Sequence, residues 1–289
     1  MKLDRNDLCW CNNGKKYKKC HMDFDAKIQS YANMGIIVPD RSLIKSKEQI
    51  DGIRESGLIN NWILDEVGKN IKIGMSTDEI NTLVHELTIS KGAIPAPLGY
   101  EGFPKSACTS INDVVCHGIP SKNDILKSGD IINVDVTTIY NGYFADASRM
   151  YCIGQVMPEA KQLVEVTKSA LEAGIAAIKP WGNLGDIAAA ICETAYKYGY
   201  SVIEEIGGHG IGICFHEDPY VCHVGEKGEG MLLVPGMVFT VEPMINAGKE
   251  EFYTDEENGW TIYTKDGSLS AQWEYTLVVT ETGIELLAW

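Results

Sequence analysis

The chain has 289 residues, 45% hydrophobic and 22% charged, the balance of a folded globular protein with room for one large domain or two smaller ones. No apolar run is long enough to span a bilayer, and the polar, cysteine-bearing start does not read as a signal peptide, so a cytoplasmic location without membrane contact is expected. The net charge of −15 is uneven: Lys2, Arg5, Lys15, Lys16, Lys18 and Lys19 oppose only Asp4 and Asp7 in residues 1–22, a net +4, leaving −19 for a body that excludes broad nucleic-acid binding.

The first predicted element lies in that basic head. Cys9-Trp-Cys11 and Cys20-His21 place four soft ligands within 13 residues, and the intervening Asn-Asn-Gly turn can bring the two pairs together. Four such ligands match a tetrahedral structural zinc site with none left over. A segment this short cannot bury a core of its own, so metal binding would supply its folding free energy. The six remaining cysteines are scattered singly and read as free thiols rather than a disulfide framework. Asp23 to about Asp40 reads as a connector, with Gly35 and Pro39 near its end. The expected division is a zinc-binding module with its connector over 1–40 and a catalytic domain over 41–289.

From Ser46 the spacing of Ile50, Ile53, Leu58, Ile59, Trp62, Ile63 and Val67 predicts a helix. A second helix is predicted after Gly74, capped by Ser76 or Thr77 with Glu79 in its first turn, ending near Gly92. Strands are expected near Ala107–Ile111, Ile131–Tyr140 and Tyr143–Ile153. Helices follow over about Glu159–Ile178 and Leu184–Tyr198, then strands near Met237–Ile245, Thr261–Tyr263 and Ala271–Thr280. An offset of 107 aligns Ile71-Lys72 with Ile178-Lys179, Ile80 with Ile187, Glu86 with Glu193 and Gly92 with Gly199. Two helices then strands, twice over, predict a duplicated α+β unit with a site between its halves.

The run from Ile131 to Arg149 is the most informative. Asn141-Gly142 between two β-type segments signals a two-residue hairpin. Pairing Tyr140 with Tyr143 sets Thr137 opposite Asp146 and Asp135 opposite Ser148, so the two aspartates lie diagonally on one face. Two carboxylates on one face of an apolar hairpin call for a cation, and a metal pair takes hard oxygen ligands. His209 stands among glycines in Gly-Gly-His-Gly, where the backbone can approach closely and leave the imidazole free. His216 follows seven residues on, and His117 lies where a strand ends. Glu242 and Glu274 interrupt strongly apolar strands, a costly placement unless the charge is paired or coordinated. His85 and His223 carry no such context.

LCWCNNGKKYKKCH resembles the SEC-C motif, which implies zinc on Cys9, Cys11, Cys20 and His21 and suggests docking to a ribosome or chaperone surface. VVCHGIP, INVDVT, ADASRM, GGHGIG, FHEDP, TVEPM and SLSAQWEYT resemble, in order and spacing, the type I methionine aminopeptidases of peptidase family M24 over residues 41–289. The resemblance implies the α+β pita-bread (creatinase/aminopeptidase) fold with a pseudo-twofold repeat. It implies two divalent ions (cobalt, manganese, iron or zinc) on Asp135, Asp146, His209, Glu242 and Glu274. His117, His216 and Glu242 are the implied catalytic groups, the two histidines also touching substrate, and Tyr100, Phe103, Cys108, Phe215 and Trp260 the implied methionine pocket. The implied activity is removal of the initiator methionine from nascent chains before a small second residue, by a monomer. The short stretch between His216 and Glu242 favours type I over type II. Pro97, Glu101 and Phe103 depart from the cysteine, histidine and tyrosine common in bacterial relatives. A prolidase, which shares the five ligands, would need a larger N-terminal domain, and a non-enzymatic relative would have lost ligands.

Overall fold

The computed structural model describes residues 3–289; Lys2, counted above in the basic head, lies outside the described residues. Five α-helices form among the described residues: α1 (Met22–Asn33), α2 (Lys47–Asn70), α3 (Thr77–Ser90), α4 (Pro158–Ala177) and α5 (Gly185–Tyr196). α2 and α3 start where their caps dictate. Ser46 accepts from the Gln49 N–H while Gln49 accepts from the Ser46 N–H, and Ser76 and Glu79 repeat the arrangement. Each such cap is worth about 1 kcal/mol by satisfying helix N–H groups that lack partners. α4 opens on Pro158, whose missing N–H costs nothing in a first turn. No helix among the described residues is long and apolar enough to cross a membrane, and all nine cysteines are free.

A nine-stranded sheet joins the two halves. Ile131–Tyr140 pairs with Tyr143–Cys152, which meets Glu274–Val279, then Val238–Val241, Gly208–Gly210 and the edge strand Glu217–Val221. The hairpin runs in the predicted register along its whole length, from Tyr140 opposite Tyr143 to Ile131 opposite Cys152. Alternation divides its side chains. Val134, Val136, Ala145 and Ala147 pack with α2 and α3, so Asp135 and Asp146 between them face the other way. In the second half Phe239, Val241, Tyr275 and Leu277 pack with α4 and α5, which sends Thr240, Glu274 and Thr276 to the opposite face. Each helix pair thus covers one half of the sheet, and polar residues collect on the uncovered surface, as the duplicated pattern predicts.

Two expected strands are broken. Met237–Ile245 divides into Val238–Val241 and Met244–Asn246, and Ala271–Thr280 into Ser270–Gln272 and Glu274–Val279. Met244–Asn246 leaves the main sheet to pair with Ser270–Gln272 and Ser201–Val202. The first break falls at Glu242-Pro243, where proline offers no N–H to a ladder. Both breaks adjoin a glutamate.

The expected connector over 23–40 is corrected: α1 occupies its first half. Its apolar residues form a single stripe, Phe24, Ile28 and Tyr31, too short to register as a periodic pattern, yet all three pack on the main core. The anchor is Trp181. Phe24 meets its ring edge-on at 5.4 Å, Tyr31 stacks at 5.9 Å and Lys27 Nζ lies 3.7 Å from its centroid. Asp25 Oδ2 accepts from Trp10 Nε1 (3.1 Å), the Tyr17 hydroxyl (2.7 Å) and Arg41 (2.7 Å), tying the cysteine loop to the body.

α2 meets the C-terminal strand so closely that a Cβ at Gly57 would stand 2.0 Å from the Leu287 carbonyl oxygen. Alanine's helical advantage of about 1 kcal/mol over glycine is outweighed by an overpacking cost of about 1–3 kcal/mol or more at a backbone contact. Gly57→Ala should therefore lower the urea midpoint. A midpoint that stays put or rises would show that the strand yields instead.

Candidate active site

The sheet register builds the site row by row. Cys108 pairs with Asp135, Asp135 with Ser148 and Ser148 with Glu274, so two carboxylates lie on one line across four strands. Asp146, opposite Thr137, is fixed by the Thr276 hydroxyl, which donates to its carbonyl at 2.7 Å. His209 arrives on the short strand Gly208–Gly210. A Cβ at Gly208 would stand 2.3 Å from the Thr240 carbonyl oxygen and one at Gly210 2.0 Å from that of Asp218. Glycine on both sides is therefore what lets this strand wedge between its neighbours. His209 Nε2 ends 3.7 Å from Glu242 Oε1.

Glu242 is the most heavily supported of these groups. The Thr240 hydroxyl donates to its Oε1 (2.7 Å) and Gln272 Nε2 to its Oε2 (3.2 Å), while its own N–H donates to His223 Nε2 (3.1 Å). His223 is fully buried, and burial lowers its pKa to about 3, so it is neutral and able to accept. His223, Thr240 and Gln272 are not among the residues that the sequence singles out. Only the fold brings them to Glu242, and no local motif marks them.

Four carboxylates thus share one buried site whose lining holds no lysine or arginine. Burial raises the pKa of Asp135 to about 6 and that of Glu242 to about 8, and drives Asp146 and Glu274 well above the carboxylate range, with the neighbouring carboxylates adding to the rise in the last two. Asp135 Oδ1, Asp146 Oδ1 and Glu274 Oε1 are buried with no hydrogen-bond partner. Ligand atoms of Asp146, His209 and Glu274 lie within 4.8 Å of one another, a spacing one cation can bridge. Partnerless oxygens converging beside a neutral imidazole are the donor set that a hard or borderline divalent ion takes. The residues present fit such ions.

The cavity measures about 350 Å³. Every residue singled out from the sequence for the catalytic site lines it: the five expected ligands, His117 and His216, and Tyr100, Phe103, Cys108, Phe215 and Trp260. Pro97, Glu101, Thr137, Ile206 and Tyr220 line it too. Phe103 meets Trp260 edge-on at 5.2 Å, and Tyr100 meets Phe215 at 4.8 Å. His117 adopts φ 56°, and Gly118 beside it admits no Cβ, which would fall 2.0 Å from the Thr109 carbonyl oxygen. His216 stacks on Phe215 and lies 2.8 Å from the Tyr100 hydroxyl through Nδ1. Burial lowers the pKa of His117 and His209 to about 4, and that of His216 as well.

The four ligand atoms of Cys9, Cys11, Cys20 and His21 also lie within 4.8 Å of one another. Cys9 Sγ and Cys20 Sγ stand 3.1 and 3.2 Å from His21 Nδ1, and Cys11 Sγ stands 3.6 Å from Cys20 Sγ.

Residues 51–281 match metallopeptidase family M24, and residues 5–23 match the SEC-C motif. Methionine aminopeptidase A of Synechocystis is 48% identical over 248 residues, 86% of this chain and 98% of its own. The chain belongs to family M24, among its methionine aminopeptidases. The methionine aminopeptidase of Chlamydia pneumoniae is 45% identical and covers 99% of this chain and 98% of its own, so that likeness runs through the cysteine head. The crystal structure of the Rickettsia prowazekii methionine aminopeptidase superposes with a TM-score of 0.84 at 46% identity, over 85% of this chain and 99% of that one. The pita-bread fold expected from the sequence is therefore the fold observed, and as an M24 metallopeptidase the chain works with divalent metal ions.

In the metal-free protein the raised carboxyl pKa values carry a stability signature. The folded state holds protons that the unfolded chain, with carboxyls near ~4, has already released, so stability falls as pH rises through the folded values. Above about pH 7.5 the buried histidines are neutral in both states and do not oppose the trend. Metal-stripped protein should melt at a lower temperature near pH 8.5 than near pH 7.5, and added manganese should raise the melting temperature more at the higher pH. An equal gain at both pH values would count against the buried-carboxylate account.

Proposed function

We propose that Asp135, Asp146, His209, Glu242 and Glu274 hold two divalent ions, and that the site hydrolyses the bond after an N-terminal methionine. The observation that carries this reading is the set of partnerless carboxylate oxygens in a cavity also lined by Tyr100, Phe103, Phe215 and Trp260. The donors suit manganese, iron, cobalt or zinc. When bound, the ions supply Lewis acidity at the scissile carbonyl and an acidified water. Glu242, its carboxylate held by the Thr240 hydroxyl and Gln272 Nε2, takes the proton of the attacking water and returns it to the leaving amine. With the Tyr100 hydroxyl donating to Nδ1, His216 carries its proton on Nε2 and offers it to the developing oxyanion. His117, neutral and held by its strained turn, offers a second hydrogen bond to substrate. Tyr100, Phe103, Cys108, Phe215 and Trp260 exclude water and receive the methionine side chain, and cleavage precedes a small second residue. The enzyme acts as a monomer in the cytoplasm.

Cleavage of Met-Ala-Ser but not Ala-Pro-Ser in the presence of manganese or cobalt is the decisive assay, and no turnover of Met-Ala-Ser with any divalent ion tried would refute the assignment. Asp135→Asn should lower kcat by about 1,000-fold or more while circular dichroism stays native; near-native turnover would overturn the ligand assignment.

The head, residues 1–40, forms a separate functional module on this reading. Cys9, Cys11, Cys20 and His21 bind one structural zinc, since the count closes a tetrahedral shell. Its exposed cations Arg5, Lys15, Lys16 and Lys19, none in an ion pair among the described residues, support docking to the anionic surface of a ribosome, with a chaperone as the alternative partner. Elemental analysis should find one zinc that Cys20→Ser removes, with tripeptide turnover kept. Co-sedimentation with ribosomes should weaken when Lys15, Lys16 and Lys19 are replaced by Glu. An unchanged pellet would refute the docking role.

A further inference from the structure

Phe215 and His216 sit on the loop that joins the glycine strand Gly208–Gly210 to the edge strand Glu217–Val221. Little in the loop's own sequence stiffens it: Gly210 and Gly212 flank its start, and Ile213 and Cys214 are exposed. Gly212 is bonded to Phe144 and Cys214, but the next two backbone donors depend on one side chain. Glu217 Oε1 accepts from the Ile213 N–H at 2.7 Å and from the Cys214 N–H at 2.9 Å. The other oxygen of the same carboxylate pairs with the Lys45 ammonium, whose side chain is 3% exposed. Lys45 is itself fixed: its N–H donates to the Gly236 carbonyl at 2.8 Å, and Ile44 bridges Met237 beside it. Its stem runs along the loop, with Cε 3.6 Å from where a Gly212 Cβ would stand. A desolvated ion pair is weak as a source of net stability but strong as a geometric constraint, because either partner left alone is costly.

We propose that the buried Lys45–Glu217 pair is a positioning device for this reaction: it clamps the 211–216 loop so that His216 and Phe215 face the cavity. Neither Lys45 nor Glu217 lines the cavity. The pair acts through His216, and so rests on the reading of His216 as a substrate-handling group. Because Lys45 follows Arg41, which grips the Asp25 hub of the head, the clamp is anchored on the segment that joins head to body.

The test is a double-mutant cycle in the full-length, metal-loaded protein with Met-Ala-Ser, joined to amide hydrogen exchange. Lys45→Met and Glu217→Gln should each lower kcat/KM by about 10- to 100-fold, the scale of a substrate-handling group displaced by about 1 Å. In a His216→Ala background the same changes should cost less than about twofold. Exchange across residues 211–217 should accelerate while the hairpin 131–152 stays protected, and Lys45→Arg should keep most of the activity. Undiminished losses in the His216→Ala background would mean general damage and overturn the proposal, as would unchanged rates and exchange in Lys45→Met. Full activity of His216→Ala alone would instead overturn the reading of His216 and the purpose of the clamp with it.

Discussion

Four carboxylates, Asp135, Asp146, Glu242 and Glu274, are held in one buried cavity with no lysine or arginine among its lining residues, and the rest of the molecule is arranged around that electrostatic demand. Burying even one uncompensated carboxylate costs several kcal/mol by the usual measures, so four of them would prise a soft structure apart. They persist because each stands on a different strand or strand end, where the ladder fixes its backbone and the neighbouring side chains bury apolar area against a helix pair. The strand breaks at Pro243 and Trp273 belong to the same logic. They release the chain from the sheet beside a glutamate, giving the carboxylate room to turn toward its neighbours.

Much of this was legible in the sequence, for definable reasons. The Asn-Gly turn leaves one register open, and that register alone decides which residues share a face. The capping boxes at Ser46 and Ser76 announce their helices locally. What escaped depends on contacts distant in the chain. His223 looked contextless because its partner, the Glu242 N–H, is 19 residues away. Thr240 and Gln272 look like ordinary strand residues until the sheet is assembled. α1 was hidden because three apolar residues make a stripe but not a period; what holds it is Trp181, about 150 residues further on. The breaks in the two glutamate-bearing strands were missed because alternation continues across them even though the ladder does not.

The head shows how a small module can fold without a core. Its ligand atoms converge within a few ångströms, Trp10 stacks on His21 at 4.4 Å, and Asp25 collects an indole, a phenol and a guanidinium on one oxygen. Phe24 and Tyr31 then borrow apolar area from Trp181 of the catalytic body, in place of an interior of the head's own. The proposed metal shell and the borrowed interface are complementary: the first would fix the loop's shape, and the second fixes where the loop sits.

The docking of α1 on Trp181 makes the head a bracket rather than a leash. A flexible tether raises the local concentration of whatever it links and leaves orientation free. A bracket adds little reach but fixes direction. Any surface that gripped the lysine loop would therefore also set the bearing of the cavity mouth.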